Sequence, residues 1–213
     1  MLSKKITIID YGCGNILNLA RAIKFLGYEA DITHDKNKII NSSYVILPGV
    51  GAFGNAMKQI EKYNLHNTIL EYAKSNKPLL GICLGMQILL TVSYEFGVHK
   101  GLGLIEGKVI KISNEKNKEI KIPHMGWNEI YPNNNKKEWK SKILKNSSIG
   151  KSFYFVHSFV CITKDYDSTI AVCNYSDISI PAVVATGNVF GCQFHPEKSA
   201  DNGLDVLKNF FEI

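Results

Sequence analysis

No two cysteines in this sequence stand as Cys-x-x-Cys. The five that occur, at 13, 83, 161, 173 and 192, are an odd number set far apart. This argues against a disulfide framework and a closed zinc site, and for a reducing cytoplasm. No apolar run reaches the length of a membrane span. Met1-Leu2-Ser3-Lys4-Lys5 leads straight into a short strand-like run, so no secretory leader is expected. No dense basic stripe with interleaved aromatics appears. The formal charge of +6 therefore reads as a Lys- and Asn-rich solvated surface, not a nucleic-acid footprint. Neither an internal repeat nor a linker is visible. At 213 residues, one domain over 1–213 with a sizeable core is expected.

The first half alternates strand and helix signals. Residues 5–10 read as a buried strand that breaks at Tyr11-Gly12-Cys13-Gly14-Asn15. Apolar residues from Ile16 to Leu26 then recur at helical spacing, and Gly27 supplies a stop. Further strands are expected at 28–33 and 44–47, the latter ended by Pro48, then a helix over about 55–75 and another over 86–94. This alternation is the signature of a parallel sheet wrapped by helices. Gly12-x-Gly14 lacks the third glycine of a dinucleotide fingerprint. The second half changes character, with short strands expected near 108–112, 127–131, 153–156, 169–173, 182–185 and 189–194. The Lys/Asn-rich segments 113–121 and 132–150 read as surface loops, and 201–211 as a closing helix. The fold class expected is α/β: a mixed, mostly parallel central sheet flanked by helices, with added antiparallel strands in the second half.

The chemistry centres on Gly81-Ile82-Cys83-Leu84-Gly85, an apolar run that turns sharply into an amphipathic stretch. That is the plan of a nucleophile elbow with Cys at the apex. Such a turn crowds the positions two before and two after the apex, and glycine relieves the crowding. A helix N-terminus beneath the thiol favours the thiolate, which is the nucleophile. Alone, Cys83 could equally be a buried core cysteine. His195 and Glu197, in Gln-Phe-His-Pro-Glu-Lys-Ser at 193–199, decide for the nucleophile. A thiol hydrolase needs a base and a group that orients the base. Strand alternation would point the two side chains to one face. Pro-Gly-Val-Gly-Ala-Phe-Gly at 48–54 follows a strand and suits a backbone donor loop for an oxyanion.

On these stretches the chain resembles the class I glutamine amidotransferases, and within them the glutaminase subunits of imidazole glycerol phosphate synthase. The resemblance runs from about 6 to 211. It also rests on Asp-Tyr-Gly-Cys-Gly-Asn (10–15), Pro-His-Met-Gly-Trp-Asn (123–128) and Tyr-Phe-Val-His-Ser-Phe (154–159). It implies that Cys83 attacks the side-chain amide of glutamine, with His195 carrying protons and Glu197 orienting it. Backbone N–H groups of Leu84 and of Val50-Gly51 would hold the oxyanion. Gly49, Gln87 and the backbone at Ser158 and Phe159 would hold the substrate. The family often has Tyr where Phe159 stands, so a contact there would run through the backbone. Ammonia would pass to a (β/α)8-barrel synthase partner in a heterodimer, giving imidazole glycerol phosphate and an aminoimidazole carboxamide ribotide in histidine biosynthesis. Asn15, Met125, Trp127 and Lys198 would face that partner, with Met125 and Trp127 in a loop. No metal, organic cofactor, nucleic acid or membrane is implied. Two rivals remain. One is a related subunit supplying ammonia for amidine formation on a bacterial surface sugar. The other is a stand-alone cysteine hydrolase.

Overall fold

The computed structural model describes residues 4–113, 120–133 and 137–213. The expectation for residues 1–3, and those parts of the loop expectations that fall on 114–119 and 134–136, lie outside the described residues. In the first half β1 (Ile6–Ile9) leads to α1 (Ile16–Phe25), β2 (Ala30–Thr33), the short α2 (Lys36–Ile40) and β3 (Tyr44–Gly49). The first helix buries Leu19, Ala22 and Ile23 and stops at Leu26, followed by Gly27 at φ 82. The helix α2 was not expected. Asp35 caps it by accepting from the Lys38 amide at 2.9 Å.

Pro48 does not end β3. Pairing with β1 stops at Ile46, while pairing with the next strand continues through Gly49. Tyr11, just past β1, donates its hydroxyl to the Pro48 carbonyl at 2.7 Å. A strand residue points its N–H and C=O to the same side, so the N–H that proline lacks falls where the β1 ladder has already finished.

The single helix expected over 55–75 is two, α3 (Phe53–Lys62) and α4 (His66–Lys74). Asn64 stands between them at φ 54, a left-handed conformation that Asn tolerates. Next come β4 (Leu79–Cys83) and α5 (Leu84–Ile88). The helix expected over 86–94 stops at Ile88, because β5 (Leu90–Ser93) pairs with a later strand instead. Tertiary pairing overrides the helical reading of a run that contains Thr91 and Val92.

The second half holds β6 (His99–Lys100), β7 (Ile105–Lys111), β8 (His124–Pro132), β9 (Ser152–His157), β10 (Phe159–Thr163), β11 (Thr169–Tyr175), β12 (Ile178–Thr186), β13 (Val189–Cys192) and α6 (Ala200–Phe210). Among the described residues the large sheet runs β2-β1-β3-β4-β13-β12-β11-β8-β9. The first five of these are mutually parallel, and the remaining four add on antiparallel. A second sheet, β10-β7-β5-β6, lies apart from it. The central strands bury both faces. Ile6, Ile8, Ile46 and Leu80 join the α1 and α6 side, whereas Ile9, Val45, Leu47 and Leu79 join α3, α4 and the second sheet.

Segment 137–150 is more than a solvated connection. Ile143 and Leu144 are fully buried, and the Asn209 side chain of α6 donates to the Ile143 carbonyl at 3.1 Å. The α6 face closes on an aromatic cluster, with the Phe210 ring 5.6 Å from Tyr44 and 6.3 Å from Phe190. Phe210 is fully buried. Phe210→Ala is expected to cost about 3–5 kcal/mol, read as a lower urea midpoint at unchanged slope.

Candidate active site

Cys83 closes β4 at φ 55 and ψ −110 and heads α5. Few non-glycine residues adopt that backbone, and such strain clusters at functional turns. The surrounding glycines are enforced by contact. A Cβ on Gly85 would sit 1.8 Å from the Leu47 carbonyl oxygen, and one on Gly81 would sit 2.6 Å from the Gly85 carbonyl oxygen. The β3/β4 register sets Gly49 opposite Cys83, so the 49–52 loop leaves the sheet beside the nucleophile.

His195 lies beyond β13, not on a strand as alternation had suggested. It heads a 3-10 turn over Pro196–Lys198. That turn brings the His195 Nδ1 within 2.9 Å of the Glu197 Oε1, with both side chains buried. The carboxylate accepts, so Nδ1 carries the proton and Nε2 is left for chemistry. Nε2 is buried and makes no hydrogen bond. Burial alone would lower this imidazolium's pKa, but the Cys83 sulfur and the Glu197 carboxylate outweigh it and raise the value to about 9.

Cys83, Leu84, Gln87, Val50, Gly51, Ser158, Phe159 and His195 line one cavity of about 640 Å³. Glu197 stands behind His195, and Asn15 shares a narrow cleft with both. The Phe159 carbonyl accepts from the Gln87 Nε2 at 3.1 Å and from the His157 Nδ1 at 2.9 Å. The remaining expected residues lie elsewhere. Met125 and Trp127 are on β8 rather than in a loop, and both are exposed, at 60% and 53%. Trp127 meets the Tyr154 ring edge-on, and Lys198 lies 5.8 Å over that same ring.

Two groups on this cavity, and a third behind it, escaped the sequence reading. Glu95 is buried on its wall and accepts from the Phe53 amide at 2.5 Å, capping α3. Its sequence position, after an expected helix, carried no signal. His157 also faces the cavity, and burial pushes it down to about 4. Its other nitrogen meets the His124 Nδ1 at 2.9 Å. Gln193 is fully buried between Gln87 and Cys83, and it stands in a motif from which only His195, Glu197 and Lys198 had been drawn. Among the described residues no cluster of three or more His, Cys, Asp or Glu is arranged to hold a metal ion. The arrangement suits attack by a sulfur on a small amide, with an oriented base beside it.

The stabilisation that a raised His195 gives the fold is fully present below its ordinary 6.5 and is lost as pH rises through about 9. Proton NMR of the His195 ring should show a midpoint near pH 9, and Glu197→Gln should bring it down. An unmoved midpoint would mean that the carboxylate does not hold the charge.

The sequence model of the family described as Glutamine amidotransferase class-I matches residues 7–213. The chain is 41% identical over 210 residues to the imidazole glycerol phosphate synthase subunit HisH 1 of Legionella pneumophila (strain Lens), covering 98% of this chain and 99% of that protein. It is 45% identical over 209 residues to the imidazole glycerol phosphate synthase subunit HisH of Lactococcus lactis subsp. lactis (strain IL1403), covering 98% of each. Among solved structures, PurLQS from Thermotoga maritima superposes with a TM-score of 0.72 at 21% identity, covering 99% of each chain. A glutamine amidotransferase from Thermotoga maritima gives 0.60 at 17% identity, covering 100% of this chain and 82% of that one. Those two likenesses carry the fold alone.

Proposed function

The chain belongs to the class-I glutamine amidotransferases, and on that premise we propose that it is the glutaminase subunit of an imidazole glycerol phosphate synthase in histidine biosynthesis. The observation that carries the reading is the buried Cys83, His195 and Glu197 grouping at the cavity, in a chain 41–45% identical over nearly its whole length to two HisH subunits. One amidotransferase domain spans the chain.

In this reading the Cys83 sulfur adds to the side-chain carbonyl of glutamine. The Leu84 amide and the Val50-Gly51 loop supply donors for the tetrahedral oxyanion. His195 passes a proton to the leaving nitrogen, ammonia departs, and a thioester remains. Water, deprotonated by His195, then releases glutamate. Glu197 keeps the ring in one tautomer and steadies its charge. Gln87, Gly49 and the backbone at Ser158 and Phe159 hold the substrate. Glu95 is a buried carboxylate on the same wall and suits the substrate's α-ammonium group.

Ammonia in water at neutral pH is mostly ammonium, which is no nucleophile. Direct transfer to a (β/α)8-barrel synthase subunit in a heterodimer avoids that loss. The exposed Met125 and Trp127 on β8, with Lys198 over Tyr154 and Asn15 nearby, are the docking residues in this reading. Large apolar side chains side by side in solvent suit a protein partner. The chemistry belongs in the cytoplasm, in keeping with five free cysteines. No helix of the described residues is long and apolar enough to cross a membrane.

Cys83→Ala is expected to abolish glutamine-dependent synthesis in the complex and to leave synthesis from added ammonium intact. Loss of both would break the proposed division of labour. Trp127→Ala is expected to weaken association by about 2 kcal/mol, measured by titration calorimetry against the synthase subunit. Unchanged affinity would move the docking face elsewhere.

A further inference from the structure

The sulfur of Cys83 has contacts beyond the triad. It lies 3.9 Å from the Val156 carbonyl oxygen and 3.8 Å from the Gln193 Nε2. The carbonyl can take a proton from the thiol but offers nothing to a thiolate. The amide does the reverse. Which end of the Gln193 amide faces sulfur is therefore chemically decisive, and neighbouring contacts fix it.

The fixing starts at Phe159. Its carbonyl oxygen can only accept, so the Gln87 atom 3.1 Å away must be the nitrogen. That nitrogen has two protons, and its second contact, at 3.2 Å, is the Gln193 side chain. A donor there requires the oxygen of Gln193 to face Gln87. The Gln193 nitrogen is then the end that meets Cys83. Each lone pair and proton in this line is used once. Phe159 is itself held, because the buried His157 donates its Nδ1 proton to the same carbonyl at 2.9 Å. Burial keeps His157 neutral through the physiological range, so its lone remaining acceptor turns to His124.

We propose that Gln193 is a positioning residue for the glutaminase reaction, donating its side-chain N–H to the Cys83 sulfur and holding it as a thiolate in line for attack. This rests on Cys83 being the nucleophile of the reading above. Gln193 is fully buried, so its amide meets no competing water and its orientation is set by protein alone. The ionisable groups coupled to the sulfur are His195 on the 3-10 turn, Tyr11 after β1, Cys161 on β10 and Cys192 on β13. Burial pushes Tyr11, Cys161 and Cys192 well above their ordinary values, so none of them adds charge near neutral pH. Beside His195, the neutral Gln193 amide is thus the side chain placed to offer the sulfur a proton. A donor to a charged acceptor is the strong kind of hydrogen bond.

The test follows the rate of Cys83 alkylation by iodoacetamide against pH in the full-length chain, read by mass spectrometry of the Cys83 peptide. Gln193→Met keeps the length and removes the N–H. Its alkylation midpoint should rise by about one to two pH units, with kcat for glutamine hydrolysis down about tenfold or more and KM changed less. A midpoint equal to that of the unmodified sequence, in a variant with unchanged thermal unfolding, overturns the proposal. Should the variant not fold, NMR of the unmodified chain labelled with ¹⁵N-glutamine decides. The Gln193 side-chain protons should shift with the same pH midpoint as alkylation, and protons that stay still overturn the proposal. If Cys83 of the unmodified chain is not alkylated at all, the nucleophile reading fails and this inference with it.

Discussion

The contact on which the site depends is the approach of the α5 backbone to strand β3. The 1.8 Å that would separate a Gly85 Cβ from the Leu47 oxygen leaves no side chain possible there. From that closeness the rest follows. The chain must turn within one residue, and Cys83 takes the left-handed backbone that results. The sulfur is lifted to the end of the sheet rather than packed into it. Because β3 and β4 are neighbouring parallel strands with Gly49 opposite Cys83, both end at one level. The loop leaving β3 and the helix leaving β4 then border the same cavity. An α/β sheet collects its functional groups at the carboxyl ends of its strands for this reason.

Two histidines on the same cavity wall are driven in opposite directions by their partners. Burial acts against the charged form of both. His195 faces a carboxylate and a sulfur, which reverse the effect and carry it to about 9. His157 faces a carbonyl and another imidazole, and it settles at about 4. One ring is thereby able to hold and release a proton, and the other serves as a neutral strut. Residue type does not distinguish them; only the neighbours do.

Much of the scaffold was legible because buried parallel strands are apolar runs and Gly-x-Cys-x-Gly has few other uses. The pairing of His195 with Glu197 was legible as a residue choice but not as geometry. The two meet through a 3-10 turn, and Pro196 begins that turn. The errors share a cause. Leu90–Ser93 reads as helix from its own residues, and the strands it pairs with, β6 and β7, lie beyond the segment that gave that reading. Pro48 reads as a stop until one knows that its missing N–H faces the end of a ladder. Glu95 and Gln193 become site residues only when two sheets and a turn are brought together. Polar groups that act by position carry no local pattern, whereas those that act by identity do.

The distribution of thiols bears on how this molecule meets oxidants. All five sulfurs are free and buried. Burial raises Cys13, Cys161, Cys173 and Cys192, Cys173 to about 12, and keeps each protonated at neutral pH. Peroxide attacks thiolates, so those four are inert. Cys83 alone lines the open cavity. Oxidation of thiols would then strike the cavity sulfur and spare the four in the core. A sulfenic acid formed there would meet no second thiolate ready to trap it, so recovery would fall to reductants small enough to enter that cavity.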